Sequence, residues 1–523
     1  MKLNYKRTIF VGFAFFLICS FWQAYDNTIP LILTNKFGMS QAWSGVIMAL
    51  DNVLALFMLP LFGAISDKHR GKRGRRTPFI VVGTLIAAVM LIALSFVDNA
   101  QLRHLSEVSA IDDPAALEQI YDRQADETLL TPSGDKFVLS QKFTQEEFIR
   151  IRSQVEQDGK TVTNPDYTNY VVPARQACAW DATAKSPATL VFFIVLLLIV
   201  LVSMAVFRSP AVALMPDVTL KPLRSKANAV INLMGSAGGI IVLALGMLFA
   251  TASVQNSLMS YTGYFGVIAA LMLAALVVFM LTVQEPRWAK EMQEQSVAAG
   301  LEDKEEAAHP TESRKLSADE VKSLLLILLS IVLWFFGYNA VTSKYSVYAS
   351  NILHKDYNLT LIIAQAAAIV SYLPVGFIAS KAGRKKTILA GVVMLTTAFT
   401  VAAFLNAESP TMLMNAMFAL AGIAWATINV NSFPMVVELA SGGDVGKYTG
   451  FYYTASMAAQ VATPMVSGLL MDKFGMTALF PYATVCVGLA FVTMLFVKHG
   501  DSRDIPAEKA GDTDMTMEEL TND

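Results

Sequence analysis

The stretch GAISDKHRGKRGRRTPFI, residues 63–80, sets six lysines and arginines, from Lys68 to Arg76, between two long apolar runs. The runs fall near 42–65 and 77–97, each close to the roughly 20 residues that carry a helix across a hydrocarbon core of about 30 Å. Working outward, the pattern recurs near 8–33, 188–207, 226–250 and 263–283, then near 321–349, 359–380, 386–405, 411–437, 448–471 and 477–498. The chain reads as an all-α membrane protein of twelve transmembrane helices. Its composition agrees: 523 residues, 54% hydrophobic and 16% charged, with a mean hydropathy of +0.48. That is more apolar surface than a water-soluble fold hides. The alternation of a membrane barrel is missing, and helices satisfy their own backbone hydrogen bonds in lipid.

Lysine and arginine in short loops set the topology. The loop after the second span holds six, and the loop after the fifth holds none, so the two face opposite sides. Placing the basic loop in the cytoplasm puts both termini there, in agreement with Lys2, Lys6 and Arg7 before an uncleaved first span, and with KAGRKK from Lys381. Three cysteines, Cys19, Cys178 and Cys486, make no disulfide framework.

The chain also repeats itself. GAISDKHRGKRGRRTPFI from Gly63 is echoed by GFIASKAGRKKTIL from Gly376, about 313 residues on. ALMPDVTLKPLRSKANAVINLMG from Ala213 is answered by NSFPMVVELASGGDVGKYTGFYY from Asn431, about 218 residues from Pro216 to Pro434. The offsets differ by about 95, the size of a polar insertion in one half. The expected plan is an N-terminal six-helix half over 1–97 and 188–283, an extracellular insertion over 98–187, a flexible cytoplasmic linker over 284–320, a C-terminal half over 321–498 and a disordered acidic tail over 499–523. Within the insertion, TQEEFIRIRSQVEQ from Thr144 predicts a helix begun by a capping box, and KFVL and TNYVV predict strands. The insertion is placed to cap the outer mouth or to stand apart as an appendage.

The basic loop and FRSPAVALMPDV from Phe207 carry a resemblance to the major facilitator superfamily. Ser66-Asp67 leading into Gly-Arg-Arg and Pro-Phe-Ile is similar to the second loop of the sucrose-proton symporters, as are Pro210, Ala213, Leu214 and Asp217 to their fourth span. With GKYTGFYY after the tenth span, the resemblance covers nearly all the chain except the insertion. Position 212 is Val where the plant carriers have arginine, Arg208 stands nearby instead, and no acidic residue lies in 190–207. The glycoside, pentoside and hexuronide cation symporters, with an acidic pair early in the N-terminal half, are a second likeness. The resemblance implies the major facilitator fold, two six-helix repeats, and a secondary active transporter of a sugar or glycoside coupled to protons or sodium. A carrier of a drug, nucleoside or organic anion, or a non-transporting solute sensor, is the alternative.

Carboxylates inside a membrane cost about 2.5–3.5 kcal/mol and mark working positions. Asp26 in FWQAYDNTIP and Asp51 in IMALDNVLALF are such residues, with Asn27 and Asn52 as neighbouring oxygen donors; the pair would share a proton or hold a sodium ion. Sugars ask for aromatic faces and neutral hydrogen-bonding groups. Helical spacing offers Trp334, Tyr338, Tyr345 and Asn339, then Trp425, Asn429 and Ser432, then Tyr453, Ser456 and Gln460, with Trp22 one turn from Asp26. Such stripes also serve as packing or interfacial belts.

The resemblance assigns Asp67, Arg70, Arg73, Arg75 and Arg76 to a cytoplasmic gate, where Asp67 pairs with arginines and with the positive end of a helix. Arg208, Asp217, Arg224 and Glu438 are expected to join it. Pro60, Pro374 and Pro464 read as kinks, and Gly235 and Gly239 as a close helix contact. No GxxxxGK[ST] loop occurs, and the histidines, His69, His104 and His354 among them, fall in loops and tails, which argues against an enzyme. Arg208 and Lys344 lie near span ends, so a neutral cargo is expected. No cofactor, metal or nucleic-acid partner is indicated; the expected setting is a monomer in the plasma membrane.

Overall fold

The computed structural model describes residues 3–131, 135–157, 160–251, 253–301, 316–348, 357–406, 408–440, 444–474 and 476–501. Helix α1, Tyr5–Asn35, begins at Asn4, whose side chain accepts the Arg7 N–H at 3.0 Å. Helices α2, Gln41–Met48, and α3, Leu50–Lys68, form one span interrupted at Ala49, and α4 follows as Thr77–His104. The fourth to sixth spans are reached after the insertion.

The insertion holds α5, Pro114–Gln124; hairpin β1–β2, Thr128–Leu130 with Lys136–Val138; α6, Leu139–Lys142; α7, Gln145–Arg150; hairpin β3–β4, Gln154–Gln157 with Lys160–Thr163; and α8, Val172–Lys185. It has its own core, with Leu117, Ile120, Phe148, Tyr167 and Cys178 buried together. Two sequence expectations change here. The capping box at Thr144 and Glu147 forms, but the helix stops at Arg150 and its second half pairs as β3. The stretch expected as a strand at TNYVV is a turn of π-helix, Tyr167–Val171, running into α8. Tyr167 and Val171, four apart, fill the same core, so helical rather than alternating spacing buries them.

Next come α9, Ala188–Asp217; α10, Arg224–Leu248; α11, Thr262–Thr282; and α12, Glu285–Ala298. The last corrects the expected flexible linker. Trp288 packs into the core and Glu285 is buried, so the first part of that segment is a docked helix; 302–315 lie outside the described residues. Helices α13, Ala318–Tyr348; α14, Tyr357–Ala382; α15, Arg384–Ala402; α16, Thr411–Val437; α17, Val445–Phe474; and α18, Leu479–Leu495, complete the chain. The tail beyond 501 and His354 lie outside the described residues.

Among the described residues, ten helices are long and apolar enough to cross a membrane; α17 and the shorter α18 stand where the eleventh and twelfth spans are expected. Helix α1 packs on α10 and α11, and α4 on α9 and α11; α14 packs on α16, α15 on α16 and α18, and α13 on α17 and α18. The two sets meet through α3 against α17 and α10 against α14. Leu248, Leu281, Phe57 and Val370 project outward, an apolar surface suited to lipid.

The two ends of the bundle differ. One carries the loop from Lys68 to Arg76 and is called the basic face. The other carries the inserted module. At the module face Lys36 and Asp98, both fully buried, pair at 2.6 Å, and the Lys36 ammonium also donates to the Met259 carbonyl at 2.6 Å. This ties the ends of α1 and α4 to the start of α11.

Candidate functional site

At the basic face, Arg76 is fully buried. It donates to Asp217 at 2.7 Å, to the Ser66 hydroxyl at 2.5 Å and to Asp67. Arg75 grips the same Asp217 with two donors at 3.1 and 2.8 Å. The other oxygens of this network reach across the bundle. Asp67 accepts the Gly446 and Lys447 N–H groups, both at 2.9 Å, in the first turn of α17. A carboxylate there meets unpaired donors and the positive end of the helix dipole. The approach depends on glycine: a Cβ on Gly63 stands 2.1 Å from the Gly446 oxygen, and one on Gly446 stands 2.4 Å from the Gly63 oxygen.

A matching arrangement stands in the second half. Arg384, buried, donates to Glu438 at 2.6 Å, to the Ser225 hydroxyl at 3.0 Å and to the Lys221 carbonyl. Arg224 donates to the Val437 and Pro216 carbonyls, each at 3.1 Å, and lies 3.8 Å from Glu438. Each half also holds the start of its third helix with a carboxylate from beyond its sixth. Glu285 accepts the N–H groups of Arg75, Arg76 and Thr77 at 2.7, 2.8 and 2.7 Å, and Asp501 accepts that of Arg384 at 2.6 Å. Gly74 and Gly383, at φ of +105° and +91°, turn the chain at the same place in each half, a conformation that glycine adopts without strain.

Asp67, Arg75, Arg76, Asp217, Arg224 and Glu438 are thus brought into two linked clusters. Arg70 lines a cleft of about 260 Å³ beside them, and Arg73 is exposed. Arg208 is not there. Its guanidinium sits 5.4 Å from the Trp22 ring and 4.9 Å from the Tyr453 ring, between helices of the two halves. The apolar run stops near Phe207, which reads as a span end, but α9 continues as far as Asp217 and puts Arg208 well inside the helix.

Around Arg208 the other expected residues divide. Asp26, accessible, lies in the electrostatic range of both Asp51 and Arg208, and Asp51 also feels Arg208. Asp51 sits in the first turn of α3, beside the interruption at Ala49, and accepts from the Asn52 amide at 2.9 Å; Asn27 accepts from Gln23 at 3.3 Å. On the opposite half Tyr338 stacks on Trp425 at 3.7 Å and 3°. Tyr372, which the sequence reading missed, lies beside the Asn429 side chain and in range of Tyr338 and of Cys19, itself near Arg208. Arg208 therefore links Trp22 and Tyr453 across the halves and lies in range of both carboxylates, while Tyr338 and Trp425 form a separate stacked pair in the second half.

Tyr345 does not join them: it packs on Phe418 at 4.3 Å and its hydroxyl is bonded to Thr360 at 2.8 Å. Gln460 turns to Met457 on its own helix, 3.7 Å away. Trp334 is fully buried in the core, although its Nε1, like Asn339 Nδ2, has no hydrogen-bond partner. Trp22 Nε1 and Arg208 Nε are likewise buried and unpartnered. Glu285, Arg384 and Asp501 also escaped the sequence reading; the echo of the basic loop at KAGRKK was the one signal that pointed toward Arg384.

Helices long and apolar enough to cross a membrane, in two like sets that meet at charge clusters on one face, give the chain the architecture of a multi-pass membrane protein. A model of the Major Facilitator Superfamily matches residues 176–364 and 351–516, and one described as MFS/sugar transport protein matches 11–103. The chain belongs to the major facilitator superfamily. It is similar to the MFS-type transporter ppzB of Metarhizium rileyi (strain RCEF 4871), 24% identical over 165 residues, 31% of this chain and 33% of that protein, so the match spans about a third of the relative's length. In fold it is similar to the proton:xylose symporter XylE bound to 6-bromo-6-deoxy-D-glucose, with 16% identity, TM-score 0.56, and 95% and 96% of the two chains covered. It is also similar to FucP in the outward conformation, with 12% identity, TM-score 0.55, and 94% and 98% covered. A bacterial homologue of the iron transporter ferroportin in an outward-facing state matches equally well, with 12% identity, TM-score 0.57, and 94% and 99% covered.

Proposed function

We propose that the chain is a secondary active symporter that moves a sugar or glycoside by alternating access, with a proton or sodium ion as the coupling cation. The observation that carries this is Arg208 inside the bundle, over the Trp22 and Tyr453 rings of the two halves and in electrostatic range of Asp26 and Asp51, with the stacked Tyr338 and Trp425 as further aromatic candidates in the second half. Stacked aromatic faces suit the C–H face of a pyranose, and the unpartnered Trp22 Nε1 and Arg208 Nε suit its oxygens. The superfamily's sugar-transport model over 11–103 and the fold of the xylose and fucose symporters support the same cargo.

In this reading, residues 1–97 with 188–283 rock against 321–498. The basic face and both termini are cytoplasmic, 98–187 are extracellular, and the monomer works in the plasma membrane. The clusters at Asp67, Arg76, Arg384 and Glu438 then hold the cytoplasmic side shut. Cation arrival neutralises one carboxylate opposite Arg208 and lowers the repulsion that resists closure over the solute. A second reading, an organic-anion carrier, is favoured by Arg208, a cation inside the bundle where the sequence placed none. Proteoliposomes given labelled neutral and carboxylated sugars under a proton or a sodium gradient distinguish the two. Accumulation of neutral sugars supports the proposal. Accumulation of carboxylated solutes alone supports the second reading, and accumulation of neither class contradicts both.

A further inference from the structure

Away from the transport site, the module carries a buried cation without a counter-charge. Arg175 on α8 is 4% exposed. Its Nη1 donates to the Tyr167 hydroxyl at 2.7 Å, while Nε and Nη2 are buried and have no partner. These two nitrogens form one edge of the guanidinium, the fork that grips an anion with two parallel donors. Among the described residues no carboxylate lies within ion-pairing distance of it. The nearby Asp112 is engaged elsewhere, accepting from the Ser153 N–H at 2.7 Å and its hydroxyl at 2.6 Å.

Arg175 lines a small space with Asn35, Val172, Gln176, Ser257 and Leu258. The Gln176 amide donates to Asn35 Oδ1 at 2.8 Å, which leaves the Asn35 Nδ2 end of that amide as a donor, and Ser257 brings a hydroxyl. The volume open to the centre of a water-sized sphere is about 10 Å³, room for one small particle. A water there satisfies donors but leaves the positive charge desolvated, which is the costly half of burying an arginine. A space that admits one small particle favours a monatomic anion over a polyatomic one. We propose that this space is a halide site, filled by one chloride ion held on the Nε–Nη2 edge of Arg175.

The site joins three pieces of chain: α8 of the module, the end of α1 at Asn35, and the segment before α11 at Ser257 and Leu258. Chloride would therefore seat the module on the helix that carries Trp22 and Asp26. A saturable rise in the melting temperature of the full chain in detergent is expected as sodium chloride replaces sodium gluconate at constant ionic strength. Bromide should substitute for chloride, and crystals grown in bromide should show an anomalous peak within hydrogen-bond reach of Arg175 Nε and Nη2. In Arg175→Gln the chloride response should vanish. Identical melting curves in chloride and gluconate, or a response of unchanged size in Arg175→Gln, would overturn the proposal. If Arg175→Gln does not fold, the bromide crystals of the unaltered protein decide: a halide peak supports the site, and a water in its place overturns it.

Discussion

Replacing Gly63 with alanine puts a Cβ 2.1 Å from the Gly446 oxygen and 2.7 Å from its carbonyl carbon, where real side chains stay beyond 3.0 Å. Both obstacles are backbone, so no side chain can swing away; α3 and α17 must part by about 1 Å. Overpacking of this kind costs about 1–3 kcal/mol. The same separation stretches the two 2.9 Å bonds from Gly446 and Lys447 to Asp67, and hydrogen bonds to charged groups contribute roughly 1.5–3 kcal/mol each. A total near 3 kcal/mol is a conservative figure and shifts a two-state equilibrium by about 150-fold. That is enough to move a carrier closed at its basic face toward the state open there. Electron-electron resonance distances between labels at Lys290 and Lys386 on the basic face, and at Leu248 and Phe404 on the module face, would read the shift once the native cysteines are replaced. Gly63→Ala should lengthen the first distance and shorten the second, while Gly45→Ala, whose Cβ meets nothing within 4 Å, should change neither. Unaltered distances in Gly63→Ala would refute the reasoning.

Other outcomes follow from the same geometry. Arg76→Gln removes the shared partner of Asp67 and Asp217; breaking a buried pair costs about 3–5 kcal/mol, so transport should fall and the basic face should open to cysteine reagents in accessibility assays. Thr144→Ala deletes the capping box of α7 and should weaken that helix by about 1 kcal/mol, seen as faster amide exchange over 145–151 with solute uptake unchanged. The Glu291 carboxyl on α12 is held below its ordinary 4.5 by hydrogen bonds from Arg7 and Arg287. A depressed carboxyl stabilises the fold above its unfolded value and loses that contribution as pH falls through the folded one, so the protection of α12 amides, corrected for the intrinsic exchange rate at each pH, should decline as pH drops below about 4.5, and Glu291→Gln should remove that decline.

The sequence displays most of the scaffold because lipid imposes a simple grammar: apolar runs of fixed length, basic loops on one side, and two echoes that expose the repeat. It also marks Asp26 and Asp51, since a carboxylate inside an apolar run has no cheap explanation. Contacts made by distant residues are where the reading stops. Glu285 and Asp501 look like ordinary loop acids, and only folding brings each to the start of a helix more than a hundred residues away in the chain. Arg208 reads as a span-end residue because the apolar run stops near Phe207, while the helix runs on through Pro210 and Pro216 to Asp217. Tyr345 shares a helical face with Tyr338, yet it packs on Phe418 and bonds Thr360 while Tyr338 stacks on Trp425. In the module, short segments carry little periodicity, and tertiary burial decides between helix and strand there.

The most direct test concerns the carboxylates. Purified protein in proteoliposomes, with solute added under no imposed gradient, should move protons or sodium inward together with the solute, recorded by a pH or sodium indicator. Asp26→Asn with Asp51→Asn should abolish that cation movement and gradient-driven accumulation while solute exchange across the membrane persists. Cation movement of undiminished size in the doubly substituted protein would contradict the account.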